Sequence, residues 1–157
     1  GFHVRTFAEL GSDVAFLVAG SNGCYTDMWG HRENTEPASI DHFQENLAKY
    51  PDFYVPEGIL VLFAPDGAVA GICFNRVEAE AKKKVLDAPG IVPAYRHLGL
   101  HRPLVQASMR WLNTQADGVF HLDTWGDFAE AVQIYEELGF TLADENHLIE
   151  YLLQTTS

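Results

Sequence analysis

Basic residues are scarce in this chain. Ten lysines and arginines stand against 22 aspartates and glutamates, a formal net charge of −12 over 157 residues. A surface of that sign repels phosphate backbones, so the charge excludes general nucleic-acid binding and suits neutral or cationic partners. Cysteine is scarce as well. Cys24 and Cys73 stand alone, with no CxxC spacing. That pattern excludes a disulfide framework and predicts buried free thiols in a reducing, cytoplasmic compartment. No apolar run approaches the ~20 residues of a membrane span, so no membrane partner is expected. No basic n-region with an apolar h-region opens the chain, so no secretion signal is expected. The seven histidines form no HxxxH on a clear helix with a third ligand nearby, which predicts no metal. The phosphate loop GxxxxGK[ST] and the dinucleotide fingerprint GxGxxG are both missing. The first residue is glycine rather than methionine, which reads as a trimmed, tagged or excised product.

What is present is a globular composition, 47% hydrophobic and 20% charged. Residues 1–157 make one domain's worth of chain, long enough to bury about 68–70% of the unfolded surface. Alternation over 2–8 predicts a strand, and the apolar run 12–20 a helix broken at Gly20, Asn22 and Gly23. Residues 25–37 lack periodicity and read as a long loop. Ser39 is the expected cap of a helix ending at Tyr50, with Ile40, Phe43 and Leu47 at helical spacing. Gly58–Phe63 and Val69–Val77 flank Pro65-Asp66-Gly67 and predict a hairpin. Lys82–Lys84 reads as a solvated charge run. Val85–Pro93 reads as a strand with Pro89-Gly90 in its middle. Arg102–Gln115 reads as a helix and Val119–Trp125 as a strand. Asp127–Leu138 is a helix with Asp127 and Glu130 as a capping box and Gly139 as its stop. Phe140–Ala143 and His147–Leu153 are expected to close the chain as a hairpin. The order β α α β β β α β α β β predicts an α+β or mixed α/β fold, one sheet covered on both faces.

The chemistry concentrates in one window. Residues 88–116 contain no aspartate or glutamate, where an even spread would put about four. The same window holds Arg96, His97, His101, Arg102 and Arg110. A locally basic stretch in an acidic chain suggests that an anion is handled there. Pro89 cannot donate to a ladder and Gly90 marks a bulge, so strand pairing is expected to break at that point. A helix follows, opened by Arg102-Pro103, where free N–H groups and the positive end of the dipole suit a phosphate.

The run Ile91-Val92-Pro93-Ala94-Tyr95-Arg96-His97-Leu98-Gly99-Leu100-His101 resembles the acetyl-coenzyme A signature V-x-P-x-Y-R-x-x-G-x-G of the GNAT N-acetyltransferase superfamily. Tyr135-Glu136-Glu137-Leu138-Gly139-Phe140 resembles the second family motif, Y-x-x-x-G-F. The likeness is strong over 58–153 and vague over 1–57, and it extends to one half of tandem GNAT proteins of the mycothiol-synthase kind. It implies a single mixed, mostly antiparallel sheet with a splayed central strand and helices on both faces. It also implies an acetyl-CoA-dependent N-acetyltransferase in which a small amine attacks the thioester directly, without a metal. The family pattern assigns acetyl-CoA to Ile91, Val92, Arg96, His97, Leu98, Gly99, Leu100, His101 and Arg102. It assigns protonation of the leaving thiolate to Tyr135. His101 departs from the pattern, standing where the family has glycine. Its side chain either crowds a pyrophosphate or donates to it. Pro103 removes one N–H from the cradle.

Asp27, His31, Glu78, Asp87 and Asp123 are candidates for the general base. Asp123 stands on a strand face with Val119, His121 and Trp125, as a core carboxylate without an evident partner. Trp29 and Tyr25 are candidate liners of the acceptor pocket. The rival reading is a non-catalytic CoA-binding half-domain that pairs with a catalytic twin. A homodimer or a tandem GNAT partner domain is the expected protein partner.

Overall fold

The computed structural model describes residues 1–28, 37–51, 54–124 and 129–143. In chain order the elements are β1 (His3–Thr6), α1 (Val14–Tyr25), α2 (Pro37–Lys49), β2 (Ile59–Phe63), β3 (Val69–Glu78), β4 (Lys83–Ile91), α3 (His101–Gln115), β5 (Val119–Asp123) and α4 (Ala129–Glu137). Short 3-10 turns stand at Ala8–Leu10, Pro56–Gly58 and Pro93–Leu98. The strands form one sheet in sequence order. β1 to β4 pair antiparallel, and β5 joins β4 in parallel after the chain crosses over through α3.

Helices cover both faces, which is why β2 (ILVLF) is apolar at every position and wholly buried. On one face Leu60, Leu62, Leu86, Leu104, Val105 and Leu112 pack with Tyr135. On the other Phe7, Leu17, Ile59, Val61 and Ile72 form a second core under α1. The β2–β3 hairpin turns through Pro65-Asp66-Gly67 as expected, with Gly67 at φ 87°.

Several elements differ from the sequence reading. α1 runs through Gly20, Asn22 and Gly23 to Tyr25. These glycines do not break the helix, and a side chain there would meet only ordinary contacts. A Cβ on Gly20 would sit 3.4 Å from Val69, and one on Gly23 3.9 Å from Val92. α2 begins at Pro37, so Ser39 lies inside it and is not the cap. Lys84 is buried rather than solvated. Its Nζ donates to Asn113 Oδ1 at 2.7 Å and lies 4.0 Å from the centre of the Phe120 ring. Phe140–Ala143 holds no strand. The Asp127 cap, Trp125, Trp29, His31 and the strand over 147–153 fall outside the described residues.

The stop at Gly139 is as expected. Gly139 lies at φ 95°, its N–H donates to Glu136 O at 2.9 Å, and the Phe140 N–H donates to Tyr135 O at 3.1 Å. That is the paired bonding of a Schellman end. Cys24 and Cys73 are both buried and unpaired with each other, as expected.

Candidate active site

The break in β4 is where the sequence points. β4 and β5 pair residue for residue from Lys83 with Val119 to Asp87 with Asp123. Beyond Asp87, β4 keeps only its β3 partner among the described residues, with Gly90 opposite Ile72 and Ile91 opposite Gly71. Between those pairs and Phe74–Asp87, Ala88 and Pro89 lie against the single residue Cys73. Two residues opposite one make a bulge, and Ala88 takes φ 41° to form it. β4 therefore kinks just past its last pair with β5, and its edge beyond Asp87, without a strand partner on that side among the described residues, is termed the slot. Gly90 is required there, because a Cβ would stand 2.7 Å from the Tyr25 ring. The Tyr25 hydroxyl donates to Ala88 O and holds the bulge from the α1 side.

Backbone groups can be assigned to the slot. The Val92 N–H donates to Ala70 O at 2.9 Å, on the β3 side. Strand alternation then turns the Ile91 N–H toward the slot. The Ile91 carbonyl accepts from Arg96 Nε at 2.9 Å. The 3-10 turn Pro93–Leu98 ends at Gly99, whose φ of 67° swings the chain into α3. At that start the Gly99 N–H donates to Arg96 O and the Arg102 N–H to Gly99 O. The N–H groups of Leu100 and His101 meet no backbone acceptor among the described residues. Two unpaired donors at the positive end of a fifteen-residue helix make an anion cradle, with Pro103 just inside it.

The side chains of the signature behave differently. Arg96 is bound on all sides. Its Nη1 and Nη2 hold Asp27 at 2.6 and 2.8 Å, and Nη2 also donates to Cys24 O at 2.9 Å. Arg102 pairs with Glu137 of α4. His97 and Leu98 project outward. His101 turns inward, 5% exposed, with its ring edge-on to Tyr135 at 6.0 Å between centroids. Burial holds its pKa at about 4, with Arg96 acting in the same direction. It is therefore neutral at pH 7, and its side chain neither fills the cradle nor offers a charge to it.

Tyr135 lies beside His101 and is 4% exposed. Its hydroxyl has the Thr124 side chain as a hydrogen-bonding neighbour, at a geometry short of a full bond. Burial raises its pKa, a nearby Thr124 opposing the shift in part. A buried hydroxyl so weakly satisfied costs stability.

On the α1 face the sheet carries an ion-pair network. Arg76 Nη1 donates to Asp87 Oδ2 at 2.8 Å and Nε to Glu78 Oε1 at 3.3 Å, while Nη2 lies 3.6 Å from Asp123 Oδ2. Asp123 is thus an exposed, partnered carboxylate rather than a core one. Asp87 sits at the last β4–β5 pair. Burial raises its pKa, Arg76 pulls it down, and Asp123 pushes it up further. Asp27 is held below the usual carboxylate range by its bond to Arg96, which makes it a weak base. Asp87 combines a raised pKa with a place at the start of the slot. Among the described residues no group of histidine, cysteine and carboxylate side chains could hold a metal ion. No helix there is long and apolar enough to cross a membrane.

No protein-family model matches the chain. A mycothiol acetyltransferase of Nocardiopsis dassonvillei is 31% identical over 142 residues, 86% of this chain and 41% of that protein. Another, of Streptomyces griseus, is 26% identical over 157 residues, 100% of this chain and 47% of that protein. The chain thus spans under half the length of these curated relatives. Among solved structures, a transcriptional regulator of Bacillus halodurans superposes with a TM-score of 0.68 at 16% identity, covering 96% of this chain and 100% of that one. A GCN5-related N-acetyltransferase of Sphaerobacter thermophilus gives 0.66 at 16% identity, covering 89% and 43%. The NatC complex bound to a Gag peptide and CoA gives 0.63 at 15% identity, covering 91% and 86%. The chain is thus similar in sequence to part of the mycothiol acetyltransferases and shares its fold with a GCN5-related N-acetyltransferase.

Proposed function

We propose that residues 1–157 form an N-acetyltransferase domain that transfers an acetyl group from acetyl-CoA to a small amine. The observation that carries the reading is the Tyr135 hydroxyl, buried and only weakly bonded, through Thr124, beside the residue that opens the anion cradle. A neighbouring fold captured with CoA and relatives named acetyltransferases support the same reading. The residues fit the co-substrate through their backbone. The N–H groups of Leu100 and His101 would take the pyrophosphate, with Gly99 allowing the turn. The slot beyond Asp87 would take the pantetheine arm. Arg96 and Arg102 would act through their carboxylate partners rather than on the phosphates.

The reaction is direct. The amine nitrogen bonds to the thioester carbon, the carbon–sulfur bond breaks, and the amine loses a proton. A primary amine of pKa ~10.4 is mostly protonated at pH 7, at a cost of about 4–5 kcal/mol. Asp87 takes that proton, directly or through a water, and its raised pKa makes it a stronger base than an ordinary carboxylate. The Ile91 N–H donates to the developing oxyanion, since the Val92 N–H is already bonded to Ala70. Tyr135 donates its hydroxyl proton toward the departing sulfur. The excess of carboxylate around Arg76 favours a cationic acceptor approaching from the α1 face. The greater length of the relatives supports a second GNAT domain as the protein partner.

The test is release of CoA thiol from acetyl-CoA across a panel of small primary amines. Wild type should turn over at least one of them, and Asp87→Asn should lose most of that rate. No thiol release above the buffer rate with any amine would instead favour the non-catalytic half-domain.

A further inference from the structure

The Arg96 side chain reaches the end of α1 and the turn after it. Its hydrogen bonds of 2.6 to 2.9 Å include two to Asp27, one to the Cys24 carbonyl and one to the Ile91 carbonyl. Two stretches of chain distant in sequence, residues 24–27 and 91–96, therefore meet on one guanidinium. They are the end of α1 with the turn after it, and the last residue of β4 with the 3-10 turn that follows. The side chain is 15% exposed, and its Asp27 partner closes the outer side as a bidentate pair.

The consequence reaches both halves of the slot. Ile91 offers its N–H to the slot, and its carbonyl is fixed by Arg96. The Arg96 carbonyl in turn accepts from the Gly99 N–H at 3.1 Å, which sets the turn into α3. One residue thus fixes the oxyanion donor through its side chain and the cradle through its backbone. We infer that Arg96 and Asp27 form a positioning clamp that sets the cradle and the Ile91 N–H at their working separation, and that Arg96 does not bind the phosphates itself. The inference rests on the acetyl-CoA reading above for its kinetic consequences, but its structural content stands without it.

Two ligands separate the clamp from direct phosphate binding. Acetyl-CoA carries the pyrophosphate and acetyl-pantetheine lacks it. For a clamp, Arg96→Ala and Asp27→Asn should both raise the dissociation constant of both ligands by similar factors. Losses of up to about a hundredfold are expected, the scale on which an ångström of misplacement acts. Asp27→Asn is the decisive variant. If Arg96 bound the phosphates, removing its competing carboxylate would leave acetyl-CoA binding unchanged or tighter, and either result overturns the clamp. So does an Arg96→Ala loss confined to acetyl-CoA.

Hydrogen exchange in the ligand-free protein tests the same claim independently of any acetyl donor. The Gly99 N–H, bonded to the Arg96 carbonyl, should exchange about tenfold faster in Asp27→Asn, with the core amides of β2 unchanged, since local openings report local stability. Equal exchange at Gly99 in wild type and variant overturns the inference even if acetyl-CoA proves not to bind.

Discussion

Tyr135→Phe should make the protein more stable and less active. The residue is 4% exposed, and Thr124 satisfies its hydroxyl only in part. An unsatisfied buried polar group costs about 1–3 kcal/mol, so its removal without change of shape recovers part of that. The ring itself keeps its place against His101 and the α3 core, because phenylalanine preserves the edge-on contact. We expect a gain of about 1 kcal/mol, the low end of that range, because Thr124 lies nearby. For a domain of this size that is about 2–4 °C in Tm. Turnover should fall by about 10²-fold, the low end for a general acid. Burial raises the tyrosine pKa, so full proton transfer to a thiolate is uphill and the hydroxyl acts mainly by hydrogen bonding. Urea unfolding beside steady-state kinetics reads both quantities on one preparation. Lower stability with unchanged turnover per folded molecule would refute the reasoning and make Tyr135 a core residue.

Further outcomes follow from the same geometry. The Asp87 pKa is raised by burial, so kcat/KM should fall toward acid pH with an apparent pKa above the usual carboxylate value of about 3.9, and Asp87→Asn should remove that limb of the pH profile. The His101 pKa is lowered from 6.5 to about 4, so the unfolded chain binds the extra proton between those values. Stability is then lost as pH falls through that window, by up to about 3 kcal/mol, and His101→Leu should flatten the pH dependence of urea unfolding there. Gly90→Ala should cost about 1–3 kcal/mol and lower acetyl-CoA affinity, because the new methyl meets the Tyr25 ring that holds the bulge; a melt and a titration check it.

The order of elements up to α4 was legible because period and punctuation agree along most of this chain. Alternation marks the strands, Pro-Asp-Gly marks the hairpin, and Gly139 ends α4 by adopting a positive φ. Gly20 and Gly23 misled because their meaning is tertiary. The helix is held across them by burial of Leu17, Val18, Cys24 and Tyr25 in the core, and nothing local distinguishes such glycines from breakers. Lys84 misled for a related reason, since its partner Asn113 belongs to α3. In the site, the bulge and the helix start could be read from Pro89, Gly90 and Pro103. The partners of the arginines could not. Asp27 lies 69 residues from Arg96, and Glu137 lies 35 from Arg102. A basic window that looks ready for an anion therefore has both of these charges matched by carboxylates. What remains for the anion is backbone, which no residue letter announces. The one hint was the scarcity of acids in 88–116, since the matching carboxylates had to come from outside it.

The central claim is that the start of α3 and the slot beyond Asp87 together bind acetyl-CoA. Thermal unfolding of the purified chain against increasing acetyl-CoA tests it most directly. At one hundred times its dissociation constant, a ligand specific to the folded state adds about 2.7 kcal/mol, so Tm should climb steadily with concentration. Free adenine should give no such rise, since it lacks the pyrophosphate and the arm. A Tm that stays flat to millimolar acetyl-CoA would contradict the account.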